Sequence, residues 1–241
     1  MISDRPPLDT DTLQRVGNQL GTNPAGIFQD ESGQRYYVKM LESPMHARNE
    51  LLAARLYQLT GAPTLTYVRM ADREQIATEW VELDKRCVAH LDERERRQAQ
   101  RWLGAHAWTA NWDAAGFTGD NQGVVDGRVL TLDLGGALAF RAHGDPKGKA
   151  FGMRVDELDR MRSDAENPHA VKLFGDMHPE MVDEAIEVVA RIPDERIRQV
   201  IVDSGGSCKL AEKMVARKAD MAARLAGNRS GGCCLRGRKG C

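Results

Sequence analysis

The spacing of hydrophobic positions changes along the chain. Between Gly21 and Met40 two short β-forming runs, Ile27-Phe28 and Tyr36–Val38, flank the polar turn Asp30–Gly33, which predicts a hairpin. From Ala47 to Leu59 the period becomes helical: Leu51, Leu52, Leu56 and Leu59 repeat at three- and four-residue steps, and Gly61 closes the pattern before Pro63. Strands are expected again over Leu65–Met70 and Gln75–Val81, joined by the polar turn Ala71–Glu74. The order to this point is strand, strand, helix, strand, strand.

Beyond Glu82 the helical period dominates. Asp92 to Asn111 reads as one long helix with Trp102, Leu103, His106, Ala107 and Ala110 along a face. A β-rich island follows over Asn121–Phe140, with Asp126-Gly127 as a tight hairpin turn, then a polar loop from His143 to Lys149. Helices are predicted near 155–162, 168–175, 179–191, 194–203 and 207–226, with Pro179 and Pro193 where a first helical turn tolerates proline. The division this implies is a polar leader (1–20), a β-rich lobe (21–82), a helical lobe (83–227) and a disordered basic tail (228–241).

Composition narrows the class. The 241 residues are 41% hydrophobic and 29% charged, as in ordinary globular chains, and suffice for two packed lobes. A formal net charge of −1 argues against nucleic acid as a bulk electrostatic partner. Charges interrupt every apolar stretch, and the first residues lack the apolar core of a signal peptide. Cys87, Cys208, Cys233, Cys234 and Cys241 form neither a paired framework nor a zinc pattern, so a reducing, cytoplasmic setting is expected. Membrane attachment would require lipidation of Cys233 and Cys234 beside the basic residues Arg229, Arg236, Arg238 and Lys239.

The candidate chemistry lies in acids and amides at the ends of the β segments. In Arg128–Phe140 an apolar run ends in Asp133, followed by Leu134 and the pair Gly135-Gly136. Twenty residues upstream, Asp113 is followed by Asp120 and Asn121. A carboxylate able to accept a hydroxyl proton, an amide, a hairpin and then Asp-x-Gly is the order of parts for phosphoryl transfer from a magnesium-bound triphosphate. Magnesium takes few protein oxygens and leaves its other positions to phosphate and water. Each segment alone also reads as an ordinary turn. Lys39, ending the second strand, is placed to hold phosphates as a point charge, and Glu50, eleven residues on in the following helix, can pair with it. Gly21, Thr22, Asn23 and Gly26 form a turn able to offer backbone N–H groups to phosphate. Glu79 and Val81 lie at the junction of the two lobes, where backbone groups can face an adenine. His46, His90 and His106 carry no assigned chemistry.

With these parts in order, the chain resembles the protein-kinase-like superfamily, nearest its HipA-like and phosphoinositide-kinase-like branch. The resemblance implies an α+β, bilobal fold with a β-rich N-lobe and a helical C-lobe. It implies Lys39 as the nucleotide lysine, Glu50 as its helix partner, Asp113 as the catalytic aspartate, and Asn121 and Asp133 as metal ligands. It implies ATP with Mg2+, or Mn2+ in its place, and a protein Ser or Thr hydroxyl as acceptor. A small molecule or lipid acceptor, an AMP transferase and a nucleotide-binding pseudokinase are the alternatives. Two departures stand out. Ala114-Ala115 replaces the Arg-His that follows the aspartate in Asp-Arg-His-x-x-Asn, and the gap to the amide is longer, so that Asp120 competes with Asn121 as ligand. If the strand has begun there, alternation turns Asp120 away from the side that Asn121 faces.

Overall fold

The computed structural model describes residues 2, 3, 5–21 and 23–235, with side chains to Asn228. Five antiparallel strands form the N-lobe sheet: β1 (Gln14–Gly17), β2 (Ala25–Gln29), β3 (Arg35–Met40), β4 (Tyr67–Arg69) and β5 (Gln75–Glu79), in spatial order β1-β2-β3-β5-β4. The β2–β3 hairpin turns where the sequence predicts, with Asp30 accepting from the backbone of Ser32 and Gln34 and Gly33 at φ 86°. Period-two alternation sends Tyr36 and Val38 to one side of β3, into a small cluster with Val68, Met70 and Ala77. Lys39 and Tyr37 face the other side, toward the interlobe cleft.

The leader is part of this sheet. Ser3 donates its backbone N–H to Tyr67 and Leu8 to Arg69, so Ile2, Ser3 and Leu8 sit beside β4, while Gln14–Gly17 pairs with β2 at the opposite edge. The polar leader thus carries an edge strand and its exit, with Val16 and Leu20 exposed.

Helix α1 (Pro44–Thr60) starts on a proline and stops at Gly61, whose φ of 80° only glycine holds without strain. It buries Leu52, Ala53, Leu56 and Tyr57 against the main core, which is shared by both lobes. The predicted long helix is two: α2 (Glu93–Gln100) and α3 (Leu103–Trp108). A capping box of Asp92 and Glu95 begins α2, and a tight turn from Trp102 N–H to the Ala99 carbonyl ends it. The break re-aims α3 against α6 (Pro179–Ala190) at a contact so close that a Cβ on Gly104 would lie 2.0 Å from the Ala185 carbonyl oxygen.

The β island is shorter than expected. Strands β6 (Gln122–Val125) and β7 (Arg128–Thr131) turn at Asp126 and Gly127, at φ 50° and 69°, and residues 132–140 are loop. The remaining helices are α4 (Glu157–Ser163), α5 (Pro168–Phe174), α7 (Asp194–Asp203) and α8 (Cys208–Leu235). Helix α8 runs through residues 228–235, where the sequence predicts a disordered tail. Its Ala-, Lys-, Arg- and Met-rich first turns nucleate a helix that further residues extend at one hydrogen bond each, across Gly227. Residues 236–241, with Arg236, Arg238, Lys239 and Cys241, lie outside the described residues. Among the described residues no helix is long and apolar enough to cross a membrane.

Beneath the cleft α8 is tied to α3. The fully buried Arg217 donates to the carbonyls of Ala107 and Trp108, at 2.7 and 2.8 Å, and pairs with Glu157 at 2.9 Å. A cation on the last carbonyls of α3 satisfies groups that a helix end leaves open.

Candidate active site

A cavity of about 420 Å³ opens between the lobes. Lys39, at the end of β3, is 8% exposed, and Glu50, in the second turn of α1, is 1% exposed. The Lys39 Nζ donates to Glu50 Oε1 at 2.7 Å and to Asp133 Oδ2 at 3.2 Å. Tyr67, from β4, donates its hydroxyl to the same Glu50 oxygen at 3.1 Å. Burial works against the Lys39 charge, but the Asp133 and Glu50 carboxylates outweigh it and hold the ammonium above its ordinary range. Burial lifts Glu50 to about 7 against the pull of Lys39. For Asp133 the neighbouring ammonium and the Gly135 N–H overcome burial and leave the carboxylate below its usual range.

Asp133 leaves β7 through Leu132 and folds back on itself, accepting from Gly135 N–H at 2.7 Å. Space is tight here: a Cβ on Gly135 would lie 3.2 Å from both the Asp133 and the Glu50 carboxylate oxygens, which would have to shift to admit it. One residue on, a Cβ on Gly136 would lie 3.1 Å from the Asp113 Cβ, so the two acid-bearing loops abut.

Asp113 follows α3 after a left-handed residue, Ala110, at φ 51°. Asn121 holds it from below, its Nδ2 donating to the Asp113 carbonyl at 2.8 Å and to Oδ2 at 2.9 Å. Burial and the negative charges of Asp133 and Asp120 raise the Asp113 carboxyl to about 6, opposed by Asn121 and His143. The longer gap is accommodated by Gly116 and Gly119, at φ 86° and 83°. Ala114 and Ala115 are fully buried, so the positions that carry Arg-His in the resembling pattern face the core here. A lower layer supports the loop: Asn111 donates to Tyr57, whose hydroxyl meets His106 Nδ1 at 2.7 Å. Burial drives His106 down to about 3, so it is neutral and structural, as its sequence setting suggests.

Of the expected site residues, Lys39, Asp113, Asn121, Asp133, Gly21, Asn23, Glu79 and Val81 line this one cavity, and Glu50 reaches it through Lys39. Gly26 does not: it lies inside β2 opposite Val38, where Arg15 and Phe28 cover its α-carbon. Thr22 lies outside the described residues. Asp120 borders the cavity beside Asn121, so the alternation expected to turn it away does not operate. The reason is local, since β6 begins only at Gln122. Leu20, Tyr37, Leu65, Leu83 and Leu132 also line the cavity without having been singled out from the sequence. Period-two alternation from Lys39 would have found Tyr37, whereas Leu65 and Leu132 fall in runs read from sequence as strand but lie in the loops flanking β4 and β7. The Asp133 carboxylate, with the Asn121 amide across the cleft, supplies hard oxygen donors in the small number that magnesium needs, so these residues fit that ion.

No protein-family model matches the chain, and no curated protein matches it either. Solved structures do. A Helicobacter pylori proinflammatory kinase, CtkA, superposes with a TM-score of 0.61 at 13% identity, covering 92% of this chain and 99% of that one. A macrolide 2'-phosphotransferase from Brachybacterium faecium follows with a TM-score of 0.37 at 13% identity, covering 88% of this chain and 91% of that one. An aminoglycoside phosphotransferase from Alicyclobacillus acidocaldarius has a TM-score of 0.33 at 15% identity, covering 95% and 97%. The first of these superpositions, taken with the antiparallel N-lobe and helical C-lobe, gives this chain the α+β, bilobal protein-kinase-like fold.

Proposed function

We propose that this chain is an ATP-dependent phosphotransferase of the HipA-like or phosphoinositide-kinase-like branch, and that its acceptor is a protein Ser or Thr hydroxyl. The observation that carries the reading is the convergence at one cleft of Lys39 between Glu50 and Asp133, and of Asp113 on Asn121. A nucleotide-binding module alone has no need of a carboxyl raised by burial beside a second carboxylate.

In this reading Glu79 and Val81 border the adenine and Lys39 holds the phosphates, with Gly21 and Asn23 above them. Asp133 and Asn121 would hold magnesium, or manganese, which neutralises charge on the phosphates. Asp113 accepts the hydrogen bond of the acceptor hydroxyl and turns its oxygen in line with the γ-phosphorus. The new O–P bond forms as the bond from the γ-phosphorus to the bridging oxygen breaks; ADP leaves and Asp113 takes the proton. A carboxyl raised to about 6 is mostly ionised at neutral pH, yet closer to the hydroxyl in proton affinity than an ordinary aspartate.

The test is incubation of the full chain with γ-labelled MgATP and a whole lysate, separated into protein, lipid and soluble fractions, with Asp133→Asn and Lys39→Met alongside. Label in protein Ser or Thr, lost in both variants, is expected. Removing a transition-state charge stabiliser of this kind costs about 2.7–4 kcal/mol in the barrier. Label in the lipid or soluble fraction reassigns the acceptor, and an AMP mass shift on protein reassigns the transferred group. Turnover no higher than in Lys39→Met reduces the chain to a nucleotide-binding module.

A further inference from the structure

Lys147 lies fourteen residues beyond Asp133, in the loop between β7 and α4, and is 4% exposed. Its Nζ donates to three backbone carbonyls: Ala110 at 2.7 Å, Gly136 at 2.7 Å and Leu138 at 3.0 Å. An ammonium has three donors, and all three are used. The same Nζ lies 4.9 Å from the ring centroid of Trp112, the residue before Asp113. We propose that Lys147 is a positioning residue for phosphoryl transfer, setting the separation of the Asp113 loop from the Asp133 loop.

The three carbonyls are what make the role specific. Ala110 enters the Asp113 loop, and Gly136 and Leu138 leave the Asp133 loop. Ala110 and Leu138 hold φ values of 51° and 55°, left-handed backbone that side-chain-bearing residues adopt only where their surroundings enforce it. A Cβ on Gly136 would lie 3.1 Å from the Asp113 Cβ, so Gly136 is where the Asp133 loop comes up against the Asp113 side chain. Leu138 N–H adds a direct bond to the Thr109 carbonyl at 2.7 Å, and Lys147 closes the same junction from the other side. The Ala110 carbonyl also accepts the Trp112 N–H at 3.0 Å inside its own loop, and Lys147 adds the bond that ties it to those of Gly136 and Leu138. A methionine of similar length would fill the space and pair none of them. Burying an amine is unfavourable unless it is fully hydrogen-bonded, and packing alone does not call for one here.

This role rests on the phosphotransfer reading, and one experiment separates the two. ATP hydrolysis and autophosphorylation by the full chain are measured as rate at saturating MgATP and as the half-saturating MgATP concentration, with calorimetric MgATP affinity and thermal melting in parallel. Lys147→Met is expected to lower the saturated rate at least about 100-fold, the scale of a 1 Å misplacement of reacting groups, while leaving MgATP affinity within about threefold. Lys147→Arg, which keeps charge and several donors, is expected to recover the rate to within about tenfold of the parent. A folded Lys147→Met at the parent's rate overturns the proposal, as does equal loss of rate and nucleotide affinity. If Lys147→Met does not fold, the same split is read on Lys147→Gln, which keeps two N–H donors. A folded Gln variant with a reduced rate and intact affinity supports the role. A folded Gln variant at the parent's rate overturns it, and so does failure of both variants to fold, which would make Lys147 a structural clamp. A parent chain with no turnover ends the phosphotransfer reading and this role with it.

Discussion

Asp113 couples the electrostatics of the cleft to its chemistry. In the proposed reaction its carboxyl, raised to about 6 chiefly by burial and by Asp133, must be ionised to accept a hydroxyl proton. The rate at limiting substrate is therefore expected to rise with pH and level off above about 6. Stability runs the other way: the folded state holds this proton more tightly than the unfolded chain, whose carboxyl titrates at an ordinary value. This group's contribution therefore falls as pH rises from about 4 toward 6. Asp120→Asn removes one of the charges that raise Asp113, so the acid limb should move to lower pH with magnesium dependence unchanged. Loss of magnesium dependence in that variant would show that Asp120, and not Asn121, is the metal ligand.

At the same scale, Lys39 and Glu50 are expected to act as a unit. Lys39→Ala and Glu50→Ala should each reduce turnover, and the double variant should be little worse than Lys39→Ala, because the 2.7 Å pair serves one role. Additive losses in rate assays would separate them. What was most legible in sequence was which polar residues meet at the cleft: Lys39 in β3, Asn121 just before β6 and Asp133 just after β7 lie at strand ends, Asp113 lies in the loop after α3, and Glu50 reaches them from the second turn of α1. Gly26 was not legible in that way: a glycine before a strand and a glycine inside one look alike, and only the pairing with Val38 and the cover of Arg15 decide which it is.

Among the elements, α3 shows how a helix can be placed by what it lacks. Gly104 allows the α3–α6 contact, and a methyl there would collide with the Ala185 carbonyl. Alanine favours a helix over glycine by about 1 kcal/mol, yet Gly104→Ala should destabilise the protein by about 1–3 kcal/mol or more through overpacking. Chemical denaturation with the midpoint compared at constant slope measures this; a variant as stable as the parent would mean that α6 can retreat. The sequence reads 92–111 as one helix because the apolar face continues in register across Arg101 and Trp102. Nothing in that pattern records that α6 lies across its path. The β6–β7 hairpin is the opposite case: Asp126-Gly127 demands left-handed backbone at both turn positions, and the structure has it there.

Across the whole molecule the C-lobe is held by the buried pair of Arg217 and Glu157. Arg217→Met should cost about 3–5 kcal/mol by leaving Glu157 buried without its partner, and thermal melting should show it. Pairing that change with Glu157→Gln should recover part of the loss. Removal of residues 228–241 should leave turnover unchanged, because the cleft is built from residues 20–143 and α8 meets α3 well before Gly227. The two-lobe order was visible from the switch in hydrophobic period at Glu82. The leader was not, because four strand residues paired at an edge carry too short a pattern to stand out from a polar run.

That leader touches both borders of the N-lobe sheet, with Ile2, Ser3 and Leu8 beside β4 and Gln14–Gly17 beside β2. A single cut between Leu8 and Gln14 would therefore loosen two remote hydrogen-bonding rims together. Strand rims of this kind recruit one another between molecules. A sample nicked in this segment is expected to self-associate through its N-lobe in size-exclusion chromatography before its cleft is disturbed; one that stays monomeric would deny the leader any part in guarding those rims.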